Sequence, residues 1–135
     1  QKDAQQVCAV RRMVSDLGFP VRVVVCPTVR EPDGLALSSR NTYLKSGQRQ
    51  ASTVLFRALS AAHAAFADGQ RDGDKLRALM ADVIVSEPLA VVQYVSVADL
   101  DTLEELQWLP EQALASSAVR IGEAVLIDNM LLGEI

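Results

Sequence analysis

The run Val21-Arg22-Val23-Val24-Val25-Cys26 constrains the fold of this chain more than any other stretch. It is almost unbroken in apolar, β-branched residues, so it reads as a strand buried on both faces, as in a parallel sheet covered by helices. The residues before it agree. Over residues 3–17, Val7, Val10, Val14 and Leu17 recur at spacings of three and four, which predicts an amphipathic helix with Asp3 near its positive end. Gly18 stops that helix and Phe19-Pro20 leads into the strand. Helix followed by buried strand is half of a βαβ unit.

The remainder reads differently. Residues 27–41 hold two prolines, Gly34 and the run Ser38-Ser39-Arg40-Asn41, a loop composition. A helix is expected over about 48–66, where Ala51, Leu55, Leu59, Ala62 and Phe66 share one face and Asp68-Gly69 ends it. Another follows over about 74–86 on a stripe of Leu76, Leu79, Met80 and Val83, and Pro88 forbids its continuation. Residues 91–97 read as a strand and the acidic stretch 99–108 as a turn or short helix. Strands near 113–121 and 124–129 flank Gly122-Glu123, a two-residue hairpin turn with Gly supplying positive φ. This half is expected to be α+β, two helices against a small antiparallel sheet. The boundary between the two units should fall near residues 40–48, giving domains of residues 1–44 and 45–135.

Half of the 135 residues are apolar, enough for a real core in one or two small domains. The formal charge of -4 and a pI near 4.9 argue against nucleic acid or an anionic membrane as partner, while leaving room for a local basic pocket. No apolar run approaches the roughly 20 residues that cross a bilayer, and no secretion signal is visible. Cys8 and Cys26 lack the dense spacing of a disulfide framework and make a poor metal pair, which fits reduced thiols in a cytoplasmic setting. The chain opens at Gln1 without a Met, so it is expected to be part of a longer polypeptide.

Two short stretches carry chemistry. Lys2 and Asp3 stand at a helix entrance, where free N–H groups and an ammonium suit a phosphate. Taken alone, such a pair at a helix start is more often solvated charge complementing the helix dipole. Ser38, Ser39 and Arg40 cluster hydroxyls and a guanidinium, a set able to bind triphosphate oxygens and stabilise a leaving pyrophosphate. Ser, Arg and Asn after a Gly are also common turn and cap residues. The sole histidine, His63, falls inside the second helix and reads as structural or surface. Arg11, Arg12 and Arg30 read as solvated or salt-bridged, with Arg30 also near the loop in sequence.

Taken together, Gln1-Lys2-Asp3-Ala4-Gln5-Gln6, the run Pro27-Thr28-Val29-Arg30-Glu31-Pro32-Asp33-Gly34-Leu35-Ala36-Leu37-Ser38-Ser39-Arg40-Asn41-Thr42-Tyr43-Leu44 and the closing Ile127-Asp128-Asn129 resemble the pantothenate synthetase family. The resemblance implies an α/β fold: the end of a Rossmann-like nucleotidylyltransferase domain with its buried parallel strand, then a small α+β domain. It implies ATP, Mg²⁺ (with no protein ligand assigned), pantoate and β-alanine as ligands, a pantoyl adenylate intermediate, a homodimer, and an amino-terminal portion carrying a HIGH-like segment that this chain lacks. It implies that Lys2 meets ATP phosphate and the adenylate, Asp3 the ribose, Gln6 the pantoate and Val29 the adenine through its backbone. Leu37, Ser38, Ser39 and Arg40 would form the phosphate loop in place of a KMSKS signature. Leu37 stands where many relatives have Met, Ala4 where an aromatic residue is frequent, and Arg40 is left as the main cation of the loop. Two other readings accompany this one: another class I adenylyl or nucleotidylyl transferase acting on a different acid, and a non-catalytic folding or assembly fragment.

Overall fold

The computed structural model describes residues 2–133, so Gln1 at the head of the first motif lies outside the described residues. Helix α1 spans Ala4–Asp16, a 3-10 helix spans Ser39–Tyr43, and α2 (Ser46–Ala51), α3 (Val54–Ala67) and α4 (Gly73–Val85) follow. Strands β1 (Ala90–Ala98), β2 (Ala113–Ile121) and β3 (Ala124–Leu132) close the chain in an antiparallel sheet of order β1-β2-β3. The carboxy-terminal unit has the three-stranded antiparallel sheet expected, with three α-helices where two were expected.

Its core follows from periodicity. The α3 stripe Leu55, Leu59, Ala62 and Phe66 is buried as expected, with Leu76, Met80 and Ile84 of α4 packed beside it. Leu79 and Val83, expected in the α4 stripe, are half-buried at its edge. One face of the sheet completes the core with Val97 of β1, Ala115, Val119 and Ile121 of β2, and Leu126 and Leu132 of β3. The single helix expected over 48–66 is instead α2 and α3 with a break between them. There Ser52 Oγ donates to Arg49 O at 2.6 Å and Thr53 Oγ1 to Gln50 O at 2.9 Å. Hydroxyls that bond back into the preceding turn compete with the helical ladder and bend it.

The β2–β3 hairpin turns in two residues, with Ile121 paired to Ala124 and Gly122 at φ 60°. Direct cross-strand partners share a face. Ser117 and Asp128 therefore sit with the core, while Ser116 opposite Asn129, and Ala118 opposite Ile127, sit on the other face. Ser96 and Tyr94 of β1 extend that second face, after an irregularity between Val92 and Tyr94. The acidic stretch 99–108 forms turns rather than a helix: the Asp99 carboxylate accepts from Asp101 N at 3.0 Å and Thr102 N at 2.9 Å.

The first unit departs from expectation. Residues 21–26 form no strand, and Val21 and Val24 are 60% and 65% exposed. A parallel strand buried on both faces needs flanking strands and covering helices. Among the described residues the strands pair only within the β1-β2-β3 sheet, leaving this run without a ladder. Helix α1 does form, capped where Asp3 Oδ1 accepts from Gln6 N at 3.0 Å, but none of its residues is buried. Of its apolar stripe, Val7 and Val14 are half-buried while Val10 and Leu17 are exposed.

Candidate functional site

Lys2 and the serine-arginine turn meet. Lys2, Ser38, Arg40, Asn41, Ile127 and Asp128 line one narrow crevice, with room of ≈ 10 Å³, about a single water. Lys2, Ile127 and Asp128 also line an adjoining cleft of ≈ 430 Å³ on the second face of the sheet, with Asp3, Tyr94, Ser96, Ser116 and Asn129 around it. That volume is in the range of small-ligand sites. The two segments are far apart in sequence, and β3 is the element on which both converge.

The turn is built locally. Ser38 is extended, and its hydroxyl accepts from Arg40 N at 3.3 Å as the 3-10 helix begins. Asn41 Nδ2 donates to Ala36 O at 3.0 Å and Thr42 Oγ1 to Ser39 O at 2.7 Å. Arg40 is exposed, and its Nη1 donates to Val125 O at 3.2 Å on β3. The preceding segment doubles back on itself: Leu37 N donates to Val29 O at 3.0 Å and Glu31 N to Leu35 O at 2.8 Å.

Of the other residues the motifs single out, Gln6, Val29, Leu37 and Ser39 are exposed and lie outside the lining of both the crevice and the cleft. Asp3 borders the cleft while its carboxylate caps α1. His63 is exposed on α3. Among the described residues no group of three or more His, Cys, Asp or Glu gathers as a metal site, and no helix is long and apolar enough to cross a membrane.

The structure adds residues that sequence patterns did not single out. Tyr94, Ser96 and Ser116 line the cleft, and only the strand register reveals that they share a face. Partial burial, then the negative charge of Asp3, raises the Tyr94 phenol above its ordinary pKa of 10.0. Arg30 proves to be salt-bridged, one of the readings its position allowed. Its Nη1 and Nη2 meet the two Asp128 oxygens at 2.5 and 3.0 Å, and its guanidinium lies 4.9 Å from the Phe56 ring centroid. A signal for this pair existed: alternation along β3 puts Asp128 on the core face, where a carboxylate needs a cation.

With that geometry in place, comparison decides the family. The family model described as pantoate-beta-alanine ligase matches residues 1–131.

The chain belongs to the pantoate-β-alanine ligase family.

Curated pantothenate synthetases agree: that of Roseiflexus sp. (strain RS-1) is 62% identical over 98% of this chain, and that of Chloroflexus aggregans 59% over 98%. Each match covers 48% of the relative, so the chain spans about half the length of the curated family members it matches. The crystal structure of the Thermus thermophilus pantothenate synthetase superposes with a TM-score of 0.91 at 43% identity, covering 96% of this chain and 46% of that one. The Francisella tularensis pantoate-β-alanine ligase, solved with beta-gamma ATP and β-alanine, matches at TM-score 0.60 and 29% identity, covering 96% of this chain and 41% of that one. The fold is accordingly an α/β fragment of this ligase family.

Proposed function

We propose that this chain supplies the triphosphate-holding part of an ATP-dependent pantoate-β-alanine ligase about twice its length, with the remaining portion required for turnover. The observation that carries the reading is the convergence of Lys2, Ser38 and Arg40 on one crevice at the edge of a cleft large enough for a small ligand. The crevice itself cannot take a triphosphate. The ligand would lie across its mouth, with Lys2 between crevice and cleft.

The family resemblance implies the reaction, and the charges at the site suit it. Attack of the pantoate carboxylate on the α-phosphorus forms the acyl phosphate bond and breaks the bond to pyrophosphate. The Lys2 ammonium and Arg40 guanidinium, with the Ser38 and Ser39 hydroxyls, would hold the phosphates in line and offset charge building on the leaving group. The β-alanine amine then attacks the acyl carbon, expelling AMP and leaving pantothenate. Mg²⁺ would come with ATP and supply further neutralisation of the triphosphate oxygens, with no protein ligand assigned to it. Asp3 toward ribose, Gln6 toward pantoate, Val29 toward adenine and Leu37 in the phosphate loop complete the assignment. Division into residues 1–44 and 45–135, which rests on the sequence pattern, a cytoplasmic location, which rests on cysteine usage, and a homodimer, which rests on the family resemblance, belong to the same reading.

The test is pantoate-dependent release of pyrophosphate from ATP by the full-length enzyme. Lys2→Ala and Arg40→Ala are each expected to slow it by about 10²–10³-fold, as for loss of one group that stabilises developing charge. Normal turnover by both variants would refute the assignment, and equal turnover with unrelated acids in place of pantoate would refute the substrate.

A further inference from the structure

The two segments assigned to phosphate binding both reach β3 through hydrogen bonds. Helix α1 begins at Ala4, two residues after Lys2. What ties its start to the sheet is a hydrogen bond from Asn129 Nδ2 to Lys2 O at 2.8 Å. The other segment is tied one residue away. Arg30 Nη1 donates to Asp128 Oδ2 at 2.5 Å and to Gly34 O at 3.0 Å, while Nη2 donates to Asp128 Oδ1 at 3.0 Å and to Asn129 O at 3.3 Å. The Asp128 carboxylate also accepts from Asn129 N at 2.8 Å.

Arg30 in turn braces the serine-arginine turn. Arg30 pairs with Ala36 across the doubled-back loop, and Ala36 O is held by Asn41 at the far end of the turn. Two consecutive residues in the middle of β3 thus hold both segments. We propose that Arg30, Asp128 and Asn129 form a bracket that sets the spacing between Lys2 and the Ser38–Arg40 turn, and so are positioning residues for adenylate formation. This inference rests on the reading of those segments as the triphosphate site.

Stability alone does not call for such a bracket. A buried ion pair contributes little beyond what well-packed apolar side chains of similar volume would, because desolvation offsets its attraction. A bidentate guanidinium-carboxylate pair fixes direction as well as distance, which apolar contacts cannot. Spacing matters where reacting groups must be aligned, since a displacement of about 1 Å can cost on the order of a hundredfold in rate.

The test uses the full-length enzyme with Arg30→Lys, which keeps the charge and loses the fork, and Asn129→Ser, which shortens the donor to Lys2. Lys2→Ala and the surface variant Arg12→Ala serve as references, and circular dichroism establishes folding of each. The expected result is a rise in KM for ATP and a slower single-turnover pyrophosphate burst, each on the order of tenfold or more, in folded Arg30→Lys and Asn129→Ser. Arg12→Ala should match the parent. If Lys2→Ala retains its burst, the triphosphate assignment fails. If Lys2→Ala loses its burst while the folded bracket variants keep the parent KM and burst rate, the bracket alone is overturned. A drop only in the fraction of active enzyme, with KM for ATP unchanged, also overturns it, because that is what a merely structural role yields. Should Arg30→Lys fail to fold, Asn129→Ser decides the matter, since the ion pair is intact in it.

Discussion

Replacing Asp128 with alanine would leave the Arg30 guanidinium, whose side chain is only 19% exposed, without the carboxylate that takes two of its donors. Gly34 O, Asn129 O and the Phe56 ring would remain as partners, none of them charged. Removing one member of a buried pair costs about 3–5 kcal/mol. Arg30→Met is the mirror case: it strands a carboxylate that is 3% exposed with Asn129 N as its remaining hydrogen-bond donor, at a similar cost. In the double variant no buried charge is left. The neutral losses, Asn129 N on one side and the Gly34 and Asn129 carbonyls on the other, occur in the singles as well and cancel from the cycle. The coupling is then the ionic part alone, expected at about 2–3 kcal/mol. Urea unfolding of the four full-length proteins, with unchanged m-values, measures it. Singles that add to the double within about 0.5 kcal/mol would refute the reasoning, since independent sites behave that way.

Three further outcomes can be checked in the same assay, and a fourth by acid unfolding. Gly34 sits at φ 91°, and a Cβ there would fall 2.0 Å from the Phe56 ring, so Gly34→Ala should cost about 2–5 kcal/mol from left-handed strain plus overlap. Gly47→Ala, within α2 and meeting nothing within 4 Å, should instead stabilise by about 0.5–1 kcal/mol. Ser117 is fully buried and its hydroxyl has no hydrogen-bond partner among the described residues, so Ser117→Ala is expected to stabilise by roughly 1 kcal/mol, and a loss of that size would contradict the geometry. The hydrogen bond from Arg49 holds the Asp33 carboxyl below its ordinary value of 3.8, so its contribution is present above that pH and is lost as pH falls through the lower folded value; Arg49→Met should flatten that part of the acid unfolding curve.

Which parts of this molecule were legible beforehand follows from the range of the forces involved. Helices α3 and α4 declare themselves because apolar residues three and four apart can only be buried together on a helix, and Asp72, which accepts from Lys75 N at 3.1 Å, starts α4 from within its own turn. The β2–β3 hairpin is equally local, since Gly122 permits the positive φ that a two-residue connection demands. The break at Ser52 and Thr53 was encoded too, but in two hydroxyls whose effect is small beside the apolar stripe that runs through it. The motif residues Lys2, Ser38 and Arg40 were readable as chemistry, and the family resemblance implied that they converge on one triphosphate, though no spacing along the chain shows it.

Composition along the chain therefore determined the helices and the hairpin, matters of spacing within a dozen residues, while the phosphate-binding reading of the Lys2 and Ser38–Arg40 loops came from the family resemblance. Tertiary structure alone decided that those loops meet on β3, that Arg30 finds Asp128 across 98 positions, and that Tyr94, Ser96 and Ser116 share a cleft. Among the described residues, 21–26 form no strand, because an extended apolar run becomes a strand only when other backbone is present to pair with it. Periodicity records which side of a segment seeks burial, and the identity of what buries it is a property of the assembled fold.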